Sequence, residues 1–145
     1  MNIVKADHTY LDVLAELFDA YRQFYSQPSD LERAREFLAE RMDCGESVVF
    51  LALDGETGLG FTQLYPIFSS VSAAPMWLLN DLYVAREARG QGIGAALLEQ
   101  ARVHAKETGA CQLLLETGAD NPARGLYKRC GWQLVTERVF YTKEP

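Results

Sequence analysis

A glycine-rich segment near the middle of the chain constrains the fold more than any other feature. Residues 89–95 read Arg-Gly-Gln-Gly-Ile-Gly-Ala and lie between a strand-like run and a helix-like run. Small residues at such a junction let backbone N–H groups converge on an anion at the positive end of the helix dipole. The segment therefore predicts a strand–turn–helix unit whose turn binds a phosphate or pyrophosphate group.

Two other interpretations of this segment have to be weighed. Gly90, Gly92 and Ala95 match the spacing of the dinucleotide-binding fingerprint, and Glu116 follows at a suitable distance to hold a ribose. That fingerprint places its first glycine directly after the strand, whereas residues 85–89 intervene here. Too little chain follows Glu116 for the further parallel strands that it requires. The third interpretation is a glycine-rich helix start that binds nothing.

The periodicity of the apolar residues predicts a mixed α/β fold with the element order β-α-α-β-β-β-α-β-α-β-β. Helical spacing covers residues 7–25, 30–44, 92–108 and 122–130, and Ser29 with Glu32 forms a capping-box pattern before the second helix. Alternating or β-branched runs predict strands at residues 2–5, 47–54, 59–68, 76–84, 111–117, 132–134 and 139–142. The expected sheet has about seven strands, mostly antiparallel, flanked by about four helices.

Length and composition fit one soluble unit. The chain has 145 residues, of which 48% are hydrophobic and 23% charged, so we expect a single domain over residues 1–145. No run approaches the ~20 apolar residues of a membrane span, and residues 1–10 lack the layout of a signal peptide. We therefore expect a cytoplasmic protein that makes no membrane contact.

The charge distribution argues against a nucleic-acid partner. The formal net charge is −6, whereas a nucleic-acid-binding domain usually carries a basic patch. Residues 1–60 hold 12 acidic and 5 basic side chains, whereas residues 61–145 hold 8 and 9. Either the acids are solvated helix faces, or a cationic ligand binds near the first half and an anionic one near the second. The three cysteines are widely spaced without partnering histidines, so we expect no metal site.

Motifs between residues 77 and 132 resemble those of the GCN5-related N-acetyltransferase (GNAT) family. The acetyl-CoA motif of that family, Arg/Gln-x-x-Gly-x-Gly/Ala, is met by Arg89, Gly92 and Gly94. The other matching residues are Leu79, Asn80, Asp81, Leu82, Tyr83, Val84, Leu97, Leu98, Glu116, Thr117, Asn121, Tyr127, Gly131 and Trp132. The resemblance implies a GNAT fold and an N-acetyltransferase that uses acetyl-CoA.

The resemblance also implies where coenzyme A binds. The two splayed strands of the family correspond to residues 76–84 and 111–117, and the pantetheine would lie between them. Its backbone partners would be Leu82, Tyr83 and Val84. The pyrophosphate would be held by Arg89, Gly90, Gln91, Gly92, Ile93, Gly94 and Ala95. The family has an Asn seven residues before its Tyr, whereas Asn121 stands six before Tyr127, so Asn121 or Asp120 takes that place.

The resemblance implies direct attack by an amine within a ternary complex, which requires two proton transfers. An alkylamine with a pKa of about 10.4 is protonated at neutral pH and needs a base. Asn80 cannot accept a proton, so Asp81, Glu116 or a water chain remains as the base. The tyrosine that protonates the leaving thiolate in the family corresponds to Tyr127, for which a position in the core is the alternative.

The expected substrate is a small amine: a polyamine, a diamine or a lysine analogue. Residues 77–84 look closest to the spermidine/spermine and thialysine acetyltransferase branch, which has a Glu-Asp pair where this chain has Asn80 and Asp81. The residues expected around the amine are Asp81, Asn80, Tyr25, Trp77 and Glu116, together with Tyr21, Arg22 and Phe24, although Phe24 and Tyr25 also fit a core stripe. The alternatives are a catalytically silent acyl-CoA-binding sensor module and a protein lysine or N-terminal acetyltransferase. Dimers are common in the family, so we expect a homodimer.

Overall fold

The sheet is formed mainly by strands that follow one another along the chain. The computed structural model describes residues 1–145. Its strands are β1 (Asn2–Lys5), β2 (Val48–Asp54), β3 (Thr57–Ser69), β4 (Ala74–Val84) and β5 (Leu113–Leu114), hydrogen-bonded in that order. Strands β1 to β4 run antiparallel to their neighbours, and β5 runs parallel to β4. The sheet is therefore mixed and mostly antiparallel, as the sequence predicts.

The chain has four α-helices, and three of them cover the two faces of the sheet. The four are α1 (Leu11–Phe24), α2 (Leu31–Asp43), α3 (Ile93–Glu107) and α4 (Arg124–Arg129), with short 3-10 turns at His8–Tyr10 and Arg86–Ala88. Phe61 packs edge-on against Phe18 of α1, whereas Phe50 packs against His104 of α3. In the ladder Phe61 opposes Leu51, the neighbour of Phe50, so the rings of Phe50 and Phe61 point to opposite faces. Helices α1 and α2 therefore cover one face, and α3 covers the other.

The buried core lies on both sides of the two central strands. All five residues from Val49 to Leu53 are buried, as are Leu14 of α1, Leu38 of α2 and Leu97 of α3. Burying aliphatic side chains of this size contributes about 1.5–3 kcal/mol each. None of the helices combines the length and the apolar character that crossing a bilayer requires.

The prediction of about seven strands is wrong, because the chain ends without the two closing strands. Residues 132–134 and 139–142 lie outside every strand, and β5 is shorter than the predicted 111–117. After the bond from Trp132 N to Tyr127 O, no residue takes part in a backbone hydrogen bond. A strand needs a neighbour for its N–H and C=O groups, and residues 133–145 have none within this chain.

The connection between α1 and α2 is held by one buried carboxylate. Asp19 accepts hydrogen bonds from Ser29 Oγ at 2.6 Å and from the Asp30 backbone N at 2.7 Å. The bond from Ser29 is the main reason that the pKa of Asp19 lies below its usual value. Because its hydroxyl is used in this way, Ser29 does not cap α2. Asp30 caps the helix instead and accepts from Arg33 N at 3.1 Å, so the predicted capping box is wrong.

Candidate active site

Strands β4 and β5 separate along the sheet and leave a gap. They pair only at Trp77 with Leu113 and at Leu78 with Leu114. Strand β4 continues to Val84, whereas the chain after Leu114 leaves the ladder. The gap therefore lies beside residues 79–84, at the end of the sheet where the glycine-rich turn begins α3.

A cleft of about 540 Å³ opens at this gap, and we call it the large cleft. It brings together most of the residues predicted to bind a cofactor: Leu82, Tyr83, Val84, Arg89, Gly90, Gly92, Ile93, Gly94, Ala95 and Asn121. The remaining lining residues include Tyr21, Phe24, Tyr25, Tyr127 and Arg129. Phe24 and Tyr25 are each about half exposed, so the alternative that put them in the core is wrong.

The glycine-rich turn presents free N–H groups to the large cleft. Gly90 and Gly92 have φ values of +76° and +80°, a conformation that favours glycine, and a Cβ at either position would point into open space. No side chain caps α3, and its first backbone bond runs from Ala96 N to Gly92 O. The N–H groups of Ile93, Gly94 and Ala95 therefore have no partner within the chain. A helix start of this kind binds anions such as phosphate.

Tyr127 is positioned by the turn before α4. Asn121 accepts a hydrogen bond from Ala123 N at 2.9 Å and donates one to Thr117 Oγ1 at 2.9 Å, which orders the chain just ahead of the helix. Tyr127 lines the large cleft, half-buried and near Trp132, and its hydroxyl makes no hydrogen bond to another residue. Burial raises the pKa of Tyr127 above its usual value, so the phenol keeps its proton at neutral pH.

A second cavity of about 340 Å³ lies between the α1–α2 pair and the sheet, and we call it the small cavity. Its lining residues are Phe18, Tyr21, Arg22, Arg33, Ala34, Phe37, Tyr65, Asn80 and Asp81. Tyr21 lines both the small cavity and the large cleft, so its side chain forms part of the wall of each space. Along β4, Asp81 faces the small cavity and the next residue, Leu82, faces the large cleft.

A β-bulge explains the polar pair in the middle of β4. Gln63 opposes Asp81 and Leu64 opposes Leu79, so Asn80 is an extra residue without a partner on β3. Asp81 is only 3% exposed, and its carboxylate accepts hydrogen bonds from the side chains of Gln63 and Asn80. Burial raises the pKa of Asp81 above its usual value, although these donors oppose the shift. The site thus contains a buried carboxylate with an increased affinity for a proton.

Several predicted site residues lie elsewhere. Trp77 donates a hydrogen bond to Thr108 Oγ1 at 2.8 Å and packs 4.8 Å from the His104 ring, so it contacts α3 on the opposite face of the sheet. Glu116 is exposed and lines neither space. Gln91 is also exposed, and its side chain donates to the Glu87 carbonyl rather than into the large cleft.

Two lining residues of the small cavity were not singled out from the sequence. Arg33 lies on α2 among other charged residues, and nothing in its spacing separates it from a solvated arginine. Tyr65 lies on β3 beside Pro66, and the sequence does not distinguish it from other aromatic residues in strands. The signal that identifies both is the cavity itself, which forms only when α2 packs over the sheet.

Comparison with known proteins decides the family. Residues 13–132 match the acetyltransferase (GNAT) family. The chain belongs to this family. The uncharacterized N-acetyltransferase YhfO of Bacillus subtilis (strain 168) is 44% identical over 142 residues, which cover 97% of this chain and 95% of that protein. The crystal structure of a probable acetyltransferase has 43% sequence identity and a TM-score of 0.94, covering 100% of this chain and 98% of that one.

A further relative of this GNAT chain carries a named substrate class. The aminoglycoside N(6')-acetyltransferase type 1 of Stenotrophomonas maltophilia is 29% identical over 122 residues, which cover 80% of this chain and 78% of that protein. The protein is thus a GNAT acetyltransferase, and enzymes of this family generally use acetyl-CoA. The large cleft fits such a donor, because its glycine turn leaves N–H groups free for a pyrophosphate and open space in front of them.

Proposed function

We propose that this chain is an acetyl-CoA-dependent N-acetyltransferase that transfers the acetyl group to the amino group of a small amine by direct attack in a ternary complex. One observation carries the proposal: Tyr21 lines both the large cleft, which contains the phenol of Tyr127, and the small cavity, which contains the buried carboxylate of Asp81. Direct transfer requires donor and acceptor to be bound together, and two adjoining spaces suit that requirement.

The large cleft is the proposed donor site. Acetyl-CoA supplies the acetyl group together with a thiol leaving group. The N–H groups at Ile93, Gly94 and Ala95 would bind its pyrophosphate, and backbone groups of residues 82–84 would bind its pantetheine. Arg89 supports this wall, because its Nε donates to the Val84 carbonyl at 3.0 Å and its guanidinium lies 5.8 Å from the centre of the Tyr83 ring.

Asp81 is the proposed base and the proposed partner of the substrate ammonium. An amine must lose a proton before its nitrogen can attack, and a carboxylate whose pKa is raised by burial is a better acceptor than an exposed one. Glu116 is the other side chain considered as the base, but it is exposed and lines neither space, which disfavours that role. Asn80 donates to Asp81 Oδ1 at 2.9 Å and would hold the carboxylate in place.

Tyr127 is the proposed acid. As the bond between the amine nitrogen and the acetyl carbon forms, the bond from that carbon to sulfur breaks, and the sulfur needs a proton. The Tyr127 hydroxyl makes no hydrogen bond within the chain and is therefore free to donate one. Asp81 takes one proton from the ammonium before attack, and the nitrogen loses a second proton once it is bonded to the acetyl carbon. Tyr127 protonates the leaving sulfur and regains that second proton, so the reaction yields an amide, a thiol and one proton that Asp81 releases to solvent.

A small amine is the proposed acceptor. The volume of the small cavity, about 340 Å³, lies at the lower end of the range of about 300–1,000 Å³ that is typical of ligand pockets. This volume favours a diamine, a lysine analogue or one end of a polyamine over the larger aminoglycosides named for one relative. A polyamine would be the substrate expected of the spermidine/spermine branch.

We also propose that the chain forms a homodimer through its C-terminal segment. Val139, Phe140 and Tyr141 are 77%, 73% and 86% exposed, although large apolar side chains are seldom left together in water. Strand β5 is the edge of the sheet, with its outer hydrogen-bonding groups unpaired. A second copy could cover both features. Sedimentation equilibrium tests this: Phe140→Asp should convert a dimer to a monomer, and a monomeric parent protein would contradict it.

The function is tested by measuring thiol release from acetyl-CoA with a panel of diamines, polyamines, lysine analogues, aminoglycosides and lysine peptides. Release that depends on a small amine supports the proposal, and mass spectrometry should find the acetylated amine. Release only with peptides would favour a protein acetyltransferase. Silence across the panel, with acetyl-CoA still bound in a calorimetric titration, would favour the silent sensor module and contradict the proposed activity.

A further inference from the structure

The small cavity contains two arginines in addition to the carboxylate of Asp81. Arg22 lies on α1 and is half-buried, whereas Arg33 lies on the first turn of α2 and is exposed at the mouth. No other charged side chain lines the cavity. The cavity therefore offers one negative group and two positive groups to whatever enters it.

Neither arginine forms an ion pair within the protein, although the charge of Arg22 contributes to the lowered pKa of Asp19. The ion pairs of the chain join His8 with Asp43, Arg35 with Asp12, Arg41 with Glu40 and Glu46, and Arg102 with Glu99, and none includes Arg22 or Arg33. Arg22 Nη1 is buried without a hydrogen-bond partner. A buried guanidinium N–H that lacks a partner costs free energy, which a bound anion would recover.

The nearest acid of α1 is already engaged. Asp19 precedes Arg22 by one helical turn, but its oxygens accept from Ser29, Gln23 and the backbone of Asp30. These bonds hold the α1–α2 connection and leave the Arg22 side chain facing the small cavity. Arg22 thus keeps free donors on the wall of the cavity that also contains Asp81.

This charge pattern does not suit a polycation. One ammonium group could pair with Asp81, but a second one in the same cavity would meet Arg22 or Arg33, and like charges at close range repel. A planar guanidinium with free N–H groups instead matches a carboxylate, which it can bind through two parallel hydrogen bonds. The pattern of one anion and two cations complements a molecule with one ammonium and one carboxylate.

We infer that the acceptor is a zwitterionic amino acid or a close analogue, whose amine faces Asp81 and whose carboxylate is bound by Arg22 and Arg33. The inference rests on the proposed function and narrows its substrate class. Of the acceptors proposed above, it favours the lysine analogues, whose carboxylate pairs with the arginines and whose second ammonium would lie outside the cavity, over carboxylate-free diamines and polyamines. It also separates this chain from the aminoglycoside-acetylating relative, since aminoglycosides carry amines without a carboxylate.

The test compares acceptors that differ only in the carboxylate. Each amino acid of a panel is assayed beside its carboxamide, which has nearly the same size but no negative charge. It is also assayed beside the amine that remains after decarboxylation. Lysine, lysinamide and cadaverine form one such set. We expect kcat/KM to be about tenfold or more higher for the carboxylates, the usual effect of one charge-assisted hydrogen bond. Equal or better turnover of the carboxamides or of polyamines would overturn the inference while leaving the proposed function intact.

Two variants and a matched control assign the effect to the cavity. Arg33→Gln should lower kcat/KM about tenfold for the carboxylates, mainly through KM, and leave the carboxamides unchanged. Arg33→Glu should reverse the preference towards cadaverine. Arg35→Gln lies on the same helix, outside the cavity, and should change neither. Because Arg33 is exposed, its variants should fold; equal losses for both acceptor types would overturn the inference.

Failure of the inference and failure of the proposed function give different results. If amines are acetylated but the carboxylate and Arg33 have no influence, the function stands and the inference fails. If no amine of any charge is acetylated while acetyl-CoA binds, the proposed function fails and the inference fails with it. Titration of lysine into the complex with coenzyme A, followed by calorimetry, adds a readout that does not depend on turnover.

Discussion

Gln63 and Asp81 oppose each other across β3 and β4, and the side-chain amide of Gln63 donates a hydrogen bond to Oδ2 of Asp81. Asn80 donates to the other oxygen, Oδ1. The carboxylate is therefore held in one orientation from both sides, within a site that is almost completely buried. The hydroxyl of Tyr21 also interacts with this carboxylate. A carboxylate has about four lone-pair positions, so beside these three donors the group can still accept a proton or contact an ammonium.

Asp81→Asn should lower kcat about 10²-fold, the usual effect of one acid–base group, and should remove the acidic limb of the pH–rate profile.

Burial raises the pKa of Asp81 above 3.8, so above that pH the unfolded chain releases a proton that the folded chain retains. The stability of the parent protein should therefore fall, relative to the variant, as pH rises through the folded pKa. Urea unfolding at several pH values measures this difference. Asp54→Asn, an exposed carboxylate at the end of β2 that lines neither space, is the control and should show neither effect.

Tyr127→Phe should keep the affinity for acetyl-CoA and lower kcat about 10²-fold, because only the proton donor is lost. Burial already keeps the Tyr127 phenol protonated at neutral pH, so removing its hydroxyl leaves the charge of the large cleft unchanged. Stopped-flow turnover and calorimetric titration measure the two quantities. Tyr10→Phe, at the start of α1, is the matched control. Parent-like turnover would remove Tyr127 from the mechanism.

Gly92 and Gly109 offer a matched pair at the two ends of α3. Their φ values are +80° and +71°, and a Cβ at either one would meet no atom within 4 Å. Alanine at either position should therefore cost a similar amount of stability, about 1 kcal/mol, for adopting a left-handed conformation. Only Gly92→Ala should also weaken acetyl-CoA binding, measured as Kd, because only that end carries free N–H groups. Equal affinities in the two variants would contradict the phosphate site.

His104 predicts a pH dependence of stability that is unrelated to activity. Burial between Phe50 and Trp77, aided by the charge of Lys5, lowers the pKa of His104 below 6.5. As the pH falls below about 6.5, the unfolded chain binds a proton that the folded chain does not bind, so stability should fall over this acidification. Thermal unfolding of His104→Gln should show a smaller loss over this interval. An unchanged slope would contradict the assignment.

The glycine turn and the β2–β3 hairpin could be predicted because their signals are local. Gly90 and Gly92 take conformations that only glycine adopts easily, and the β2–β3 hairpin joins neighbours in the chain. The absence of the closing strands could not be predicted. Residues 132–142 have the alternation that is typical of strands, but they pair with no other strand of the chain. Alternation describes the surface that a strand would present and says nothing about whether a neighbour exists.

The candidate site was predicted on the donor side better than on the acceptor side. Trp77 and Asp81 stand four residues apart and would share a face in a regular strand, which is why both were assigned to the substrate. The extra residue Asn80 reverses the alternation, so Trp77 faces α3 and Asp81 faces the small cavity. Arg33 reaches the same cavity only through the packing of α2 over the sheet, which no local pattern encodes.

The large cleft and the small cavity are lined mostly by different segments of the chain. Apart from Tyr21, Phe24 and Tyr25, the large cleft is lined by residues 82–129, whereas the small cavity is lined by residues 18–37 and 65–81. Substitutions in α2, and in α1 away from Tyr21 and Phe24, can therefore replace one acceptor with another while the donor site is inherited unchanged. Among proteins descended from such a chain, we expect sequence differences to accumulate first in α1 and α2. A change of acceptor would then need few substitutions.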